Sequence, residues 1–360
     1  METDGESSSS LKQIPYYKKI VGTRFAIDAF NYEESPEITY YLLSHFHYDH
    51  YIGLNANFTG NILTSPITGR LIVDRIGVKT NHVIMVDIHQ PIVIDGVTVV
   101  LIDAFHCPGS VMFLFILPDG KRILHTGDFR ASPEMEKNNF LTEKPIDHIY
   151  LDTTYCHPDY NFPKQGETLQ MVIDLTLEYL AKEPKLLIVC GAYTIGKEKV
   201  FKCLCETLCM NLWVPSSKLQ VLLSMNDPVI QQHLVLDKDD AQIHVLPMTD
   251  INHEFLRGYL RGCRDRFTSI LAFKPSGWQN NEDSSSAIVP AIQDNVYIYG
   301  IPYSEHSSYS ELERFIKFFK PRMITPTVFH SDSKFRVMML RSIAQWKSTY
   351  LQNGDQQSSA

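Results

Sequence analysis

Three histidines and a carboxylate fall within six positions, His45-Phe46-His47-Tyr48-Asp49-His50, directly after the β-branched and aromatic run Ile38-Thr39-Tyr40-Tyr41-Leu42-Leu43. The run has the length and residue types of a buried strand, so the packet is expected at the strand's end, where a loop begins. His45 and His47 lie two apart, a spacing that puts both imidazoles on one side of extended chain, while Asp49 and His50 turn toward a second point.

The same arrangement recurs downstream. Val99 to Phe105 runs into His106, Arg122 to Gly127 into Asp128, Ile149 to Leu151 into Asp152, and Val296 to Glu305 into His306. Ligand-type residues at the ends of strands far apart in sequence are how a rigid sheet converges groups on one site. Neutral imidazoles and carboxylates are the donors that Zn²⁺ takes at about 2.0–2.2 Å. His45, His47, Asp49, His50, His106, Asp128 and His306 are too many for one tetrahedral ion. A carboxylate such as Asp128 can bridge two ions about 3.5–4 Å apart, an arrangement suited to in-line displacement at phosphorus. His82, His89, His125, His148, His157, His244, His253 and His330 are assigned to structure.

From Gly22 to about Tyr155 short strands alternate with turn signals. Strands are expected over residues 23–28, 60–64, 82–86, 90–94, 97–103, 111–117, 122–125 and 146–151, with helix over 66–76 and a short helix after Tyr48. After Tyr155 helices and strands alternate. Residues 167–183 read as helix and 185–190 as a buried strand, Gly196 opens the next helix, and 219–223, 243–246 and 269–273 read as strands, with helix over 252–263. Residues 279–286 read as an exposed loop, 295–301 as strand, 307–320 as helix, 322–328 as strand and 333–350 as a final helix.

At 360 residues and 44% apolar composition the chain exceeds one ordinary core. No apolar run approaches ~18 residues and the start lacks a signal pattern, so a soluble intracellular protein without membrane contact is expected. An odd number of cysteines, seven, argues for reduced thiols. Cys203, Cys205 and Cys209 read as part of a helix whose buried face is Val200, Leu204 and Leu208, not as a metal cluster. A net charge of −8 excludes a passive nucleic-acid binder but not an enzyme with a locally basic face. Basic residues gather at Lys12, Lys18, Lys19 and Arg24, at Arg257, Arg261, Arg264, Arg266 and Lys274, and from Lys317 to Arg341.

The packet His45 to His50 resembles the HxHxDH signature of the metallo-β-lactamase superfamily. Phe105-His106-Cys107-Pro108-Gly109 and His125-Thr126-Gly127-Asp128-Phe129-Arg130 look like its next two motifs. Leu151-Asp152-Thr153-Thr154-Tyr155, Cys190 to Lys199, Gly300 to Tyr309 and Thr325-Pro326-Thr327-Val328 are similar to the β-CASP branch. Within it they resemble the DNA interstrand cross-link repair nucleases, kin of Apollo and Artemis. The resemblance runs from about Gly22 to Trp346.

It implies an α/β fold: an αββα metallo-β-lactamase sandwich over about 16–155 and 295–350, with an inserted α/β β-CASP domain over 156–294. A disordered head over 1–15 and a tail over 351–360 would flank them. One zinc would be held by His45, His47, His106 and Asp128, and a second by Asp49, His50, Asp128 and His306, with one or two ions bound. Asp128, Asp49, His306 and Asp152 would be the catalytic set, Asp152 orienting a histidine or a phosphate. Asp28 would brace a loop. Val328 stands where DNA-directed members carry valine, and His330 two residues later is a complication. Thr153, Thr154, Tyr155, Lys197, Ser276 and Gly277 are the candidate substrate contacts, although Gly196-Lys197 also fits a plain helix start.

The resemblance thus implies a nuclear, monomeric, zinc-dependent 5′→3′ DNA exonuclease. It would act on single- or double-stranded DNA bearing a 5′-phosphate, with repair proteins as partners. The alternatives are a structure-specific endonuclease on DNA or RNA, a small-molecule hydrolase of β-lactam type, which the inserted domain argues against, and a metal-free scaffold. Without a zinc-finger-like head or long tail, no recruitment segment is expected.

Overall fold

A computed structural model describes residues 12–33, 35–263, 266–276 and 289–355. Two sheets face each other. The first has four parallel strands, Phe25–Ile27, Tyr40–Leu42, Asn61–Thr64 and Val83–Met85, in chain order. The second orders six strands as Met323–Pro326, His148–Leu151, Arg122–His125, Val111–Ile116, Val97–Asp103 and Ile92–Ile94. The alternation of side chains along each strand builds three apolar layers from these two sheets. Phe25, Ile27, Leu42 and Leu63 meet Leu101, Phe113, Phe115 and Ile123 between the sheets. Their neighbours point outward: Ala26, Tyr41 and Ile62 pack with Leu71 of the helix Pro66–Leu71. On the far side Leu114, Leu124 and Ile149 pack with Phe315 of Tyr309–Phe319 and with Met339 and Trp346 of Ser333–Asp355. The layering is helix, sheet, sheet, helix.

A third sheet is built from the middle of the chain, ordered Leu212–Trp213, Ile243–Pro247, Leu186–Ala192, Ser269–Ser276, Val296–Pro302 and Ala291–Gln293. All its pairings are parallel except the last. Parallel strands need both faces covered, which explains the unbroken apolar run of residues 186–190. Ile188 and Cys190 pack on Val200 and Phe201 of Glu198–Leu208, while Leu187 and Val189 pack on Leu256 of His253–Gly262.

Several expectations are corrected. Residues 219–223 are not a strand but lie within the helix Ser216–Met225. Pro215 sets its start, and its buried residues serve two cores, Val221 beside Leu71 and Ile195 and Leu222 with Met225 in the third sheet's core, a helical arrangement that a short apolar run does not reveal. The strand Val296–Pro302, expected to open the second part of the sandwich, pairs with Ser269–Ser276 in the third sheet, so that sheet extends past the boundary expected at 294. The helix expected over 66–76 changes character at its middle: Pro66–Leu71 is α-helical, and Ile72–Ile76 forms a wider turn that stops at Gly77, φ 84°. Residues 12–15 of the expected disordered head are ordered, with Lys12 bridged to Tyr32 and Ile14 buried. The final helix continues to Asp355, into the expected tail. The loop expected over 279–286 lies outside the described residues, as do Arg264 and Gly277. All seven cysteines are free thiols. Among the described residues no helix is long and apolar enough to cross a membrane.

Candidate metal centre

Each of the expected donors leaves the end of a strand at the same edge of the sandwich or beside it. His45 follows Tyr40–Leu42, and His47 caps the single turn Tyr48–Tyr51 that carries Asp49 and His50. His106 follows Val97–Asp103, Asp128 follows Arg122–His125, Asp152 follows His148–Leu151, and His306 follows Val296–Pro302. The chain is bent sharply beside these donors. Phe105 takes φ 53°, and Gly127 takes φ 53° where a Cβ would lie 2.9 Å from that of Ser44. Backbone in this region is costly for a residue with a side chain, and such strain gathers where geometry matters more than ease of folding.

The structure brings two sets of donor atoms together around one carboxylate oxygen. His47 Nδ1 lies 2.8 Å from His45 Nε2 and 3.0 Å from His106 Nε2. Asp128 Oδ2 is 3.8 Å from both His45 Nε2 and His106 Nε2, 3.2 Å from His50 Nε2 and 3.9 Å from His306 Nε2. Donors at 2.0–2.2 Å from a tetrahedral ion lie about 3.3–3.6 Å from each other, and these separations fall on both sides of that range, the histidine pairs closer and the Asp128 pairs mostly wider. Asp49 stands apart: its Oδ2 is 3.5 Å from His50 Nε2, but the side chain is 80% exposed at the rim.

The outer nitrogen of every one of these imidazoles is engaged, and in a sense that frees the inner one. Carbonyls and carboxylates only accept, so His47 Nε2 donates to Ile195 O at 3.0 Å, and His106 Nδ1 to Glu305 O at 2.9 Å. His50 Nδ1 donates to Asp28 Oδ2 at 2.7 Å, and His306 Nδ1 to Asp152 Oδ2 at 2.9 Å. Ser44 Oγ gives its proton to Asp28 Oδ2 at 2.7 Å and accepts from His45 Nδ1 at 2.9 Å. Burial keeps His45, His47 and His106 neutral, so with the proton held outside their inner nitrogens present lone pairs to the cluster.

The electrostatics suit a cation. Burial, followed by the neighbouring imidazoles of His50, His47 and His106, keeps His45 neutral far below its usual pKa. Burial, then His306, pushes His106 down to about 3. Against the opposing effect of burial, the Asp128 and Asp28 carboxylates raise His50, while His50 and His306 hold Asp128 well below the ordinary carboxylate range. Four imidazoles surround one anion, and the neutral His45, His47 and His106 turn nitrogens toward each other. The donor set fits a metal, and the cluster is not a hydrogen-bonded core.

Asp152 sits behind His306, its other oxygen accepting the Thr154 N–H at 2.9 Å and the Thr154 hydroxyl at 2.6 Å. A pocket of about 440 Å³ opens on the donors and is lined by Tyr17, Lys18, Thr154, Thr327, Val328 and Phe329 besides Asp49, His50, Asp128 and His306. Of the expected substrate contacts among the described residues only Thr154 reaches it. Thr153 is fully buried and donates to Val328 O at 2.7 Å. Tyr155 is buried, with its ring centroid 5.8 Å from that of His306. The Lys197 ammonium is turned inward, 3.4 Å from Glu305 Oε2 and from Tyr303 O. Ser276 ends a strand of the third sheet, paired with Pro302. His330 donates to Thr154 O at 2.9 Å and packs on Phe335, so it braces the pocket wall without lining it.

Sequence reasoning missed Ser44, the carbonyls of Ile195 and Glu305, the wall residues Tyr17, Lys18 and Phe329, and Cys107, whose Sγ groups with the His45, His47 and His106 nitrogens within 4.8 Å. Two of these carried a signal, Cys107 by its place directly after His106 and Lys18 by its place in a basic stretch. Burial raises the Cys107 thiol far above the usual pKa.

An αββα sandwich that gathers histidines around a shared aspartate at its strand ends defines a metal-site protein of the metallo-β-lactamase type. Comparison with known proteins agrees. The DNA repair metallo-beta-lactamase family profile matches residues 228–332. The mouse DNA cross-link repair 1A protein is 43% identical over 335 residues, 92% of this chain and 33% of that protein. The DNA cross-link repair protein SNM1 of Arabidopsis thaliana is 38% identical over 344 residues, 94% of this chain and 71% of that protein. The chicken 5′ exonuclease Apollo is 31% identical over 310 residues, 86% of this chain and 63% of that protein. The chain belongs to the SNM1 family of DNA cross-link repair proteins. It spans about a third of the length of the cross-link repair 1A proteins it matches.

Proposed function

We propose that the chain is a zinc-dependent 5′→3′ DNA exonuclease that hydrolyses phosphodiesters from 5′-phosphorylated ends during interstrand cross-link repair. The observation that carries this reading is the position of Asp128 Oδ2 between two donor sets, 3.8 Å from the His45 and His106 nitrogens and 3.2 and 3.9 Å from those of His50 and His306. His45, His47, His106 and Asp128 would hold one ion; Asp49, His50, Asp128 and His306 would hold the second. When bound, the two ions supply Lewis acidity toward the phosphodiester and toward attacking water. The chain's residues do the rest. Asp28 and Asp152 hold the His50 and His306 protons on the outer nitrogens, and exposed Asp49 would supply a carboxylate at the rim. Tyr17 and Phe329, with ring centroids 5.3 Å apart, wall the pocket mouth, where Lys18 adds positive charge and Thr154 a hydroxyl. The DNA strand enters between the sandwich and a lobe formed by the third sheet and its helices. A relative named as a 5′ exonuclease supports the direction of attack, and the cross-link repair relatives support the process, a nuclear site of action and repair proteins as partners.

The test is metal content together with the product ladder on 5′-phosphorylated single-stranded DNA, beside 5′-hydroxyl, hairpin and RNA substrates. Stepwise products from the 5′-phosphorylated strand are expected, with Asp128→Ala folded by circular dichroism and inactive. Undiminished hydrolysis by Asp128→Ala, or cleavage confined to hairpins or RNA, overturns the assignment.

A further inference from the structure

The loop from Tyr193 to Lys197 leaves the end of the strand Leu186–Ala192 and is where the third sheet reaches the histidines, through the Ile195 carbonyl on His47. Buried side chains hold it on both sides of that carbonyl. Lys218 Nζ donates to Tyr193 O and Thr194 O, each at 3.0 Å, and to Glu198 Oε1 at 2.6 Å. These three bonds use all the protons of an ammonium. Glu198 accepts the Gly196 N–H on its two oxygens at 3.0 and 2.9 Å, and the next N–H, that of Lys197, goes to Glu305 Oε1 at 2.7 Å. Gly196 takes φ 105°, and a Cβ there would sit 2.9 Å from Glu305 Oε2 and 3.4 Å from His47 Nε2. The loop therefore passes as close to the cluster as backbone allows.

Lys218 and Glu198 are 7% and 3% exposed, and neither belongs to a donor cluster. A buried ion pair contributes little net stability over apolar groups of the same volume, but it holds its partners in one geometry. What this pair holds is the segment that carries the Ile195 carbonyl. We propose that Lys218 and Glu198 are positioning residues of the metal centre: through the Tyr193 to Lys197 loop they set the Ile195 carbonyl, which keeps the His47 Nδ1 lone pair aimed at the point shared with His45 and His106. The proposal rests on the reading of these histidines as metal ligands. It makes the orientation of His47 dependent on the docked third sheet, whereas the groups that orient His50 and His306, Asp28 and Asp152, hang on the sandwich strands even though His306 itself follows the third-sheet strand Val296–Pro302.

The experiment is Zn²⁺ competition titration of the full chain against a chromophoric chelator, with thermal melting of the metal-free protein alongside. Glu198→Gln/Lys218→Met removes both charges and keeps the volume. One of the two ions is expected to weaken about 10–100-fold, the effect of losing a group that orients a ligand. The other ion and the metal-free melting temperature stay as in the unsubstituted chain, and Lys218→Arg restores much of the loss. Unchanged affinity for both ions in the folded variant overturns the proposal, and so does an equal weakening of both. Should the double variant fail to fold, Glu198→Gln alone, which keeps an acceptor for Gly196, is judged by the same criteria. Absence of Zn²⁺ binding by the unsubstituted chain would instead refute the metal reading itself.

Discussion

Asp152→Asn tests how the site is built, because an amide cannot replace this carboxylate on both sides. One Asp152 oxygen accepts from His306 Nδ1 at 2.9 Å and from the Phe129 N–H at 3.3 Å; the other accepts from the Thr154 N–H at 2.9 Å and its hydroxyl at 2.6 Å. The residue is 2% exposed, so water cannot make up a missing acceptor. If asparagine turns its oxygen toward Thr154, its NH₂ faces His306. The imidazole must then move its proton to Nε2, the nitrogen 3.9 Å from Asp128, and a ligand lone pair is lost. Removing an orienting partner of this kind weakens metal binding about 10–100-fold, or about 1.4–2.7 kcal/mol. If the amide turns the other way, the Thr154 N–H is buried without an acceptor, at about 1–3 kcal/mol of stability. The protein takes the cheaper orientation, so a loss of at least ~1 kcal/mol must appear in one of two measurements. These are Zn²⁺ affinity by chelator competition and urea unfolding of the metal-free chain. Wild-type values in both would refute the account of how His306 is held.

Two further outcomes are expected. His244, in the third sheet and remote from the donors, is fully buried between Tyr259 Oη and Lys238 O, each 2.9 Å from a ring nitrogen, and burial lowers its pKa to about 4. A histidine depressed on folding is protonated more readily in the unfolded chain. Its contribution is therefore full above about pH 6.5 and is lost as pH falls toward 4, a change on the order of 3 kcal/mol. Urea unfolding of His244→Gln should lose less stability over that window than the parent; equal slopes would show that His244 does not titrate this way. Gly196→Ala should both destabilise the chain, by about 1–3 kcal/mol for the left-handed strain, and weaken Zn²⁺ binding, since the new methyl meets Glu305 and His47. A variant as stable and as metal-retentive as the parent would show that the close approach is unimportant.

The histidines and the aspartate that cluster could be read from the chain. Strand propensity acts over a few residues, and the groups that follow Tyr40–Leu42, Val97–Asp103, Arg122–His125 and Val296–Pro302 are adjacent in sequence to the strands that place them. Spacing of two puts His45 and His47 side by side for the same local reason, but His50, expected to turn elsewhere, joins His45 at Asp128. The helix Ser216–Met225 escaped this reasoning, because five apolar-rich residues suit either state until Val221 and Met225 find a surface to cover. The reassigned strand Val296–Pro302 is a similar case: its residues show that it is a strand, but only pairing energy with Ser269–Ser276 decides which sheet it joins. Orientation was hidden altogether. The groups that hold His47 and His106 are the carbonyls of Ile195 and Glu305, 148 and 199 positions away along the chain, and a backbone carbonyl has no signature in a sequence. Composition and local order therefore determine which residues can bind a metal here. The direction each imidazole faces, and hence whether lone pairs meet at one point, depends on contacts that exist only when the third sheet packs against the sandwich.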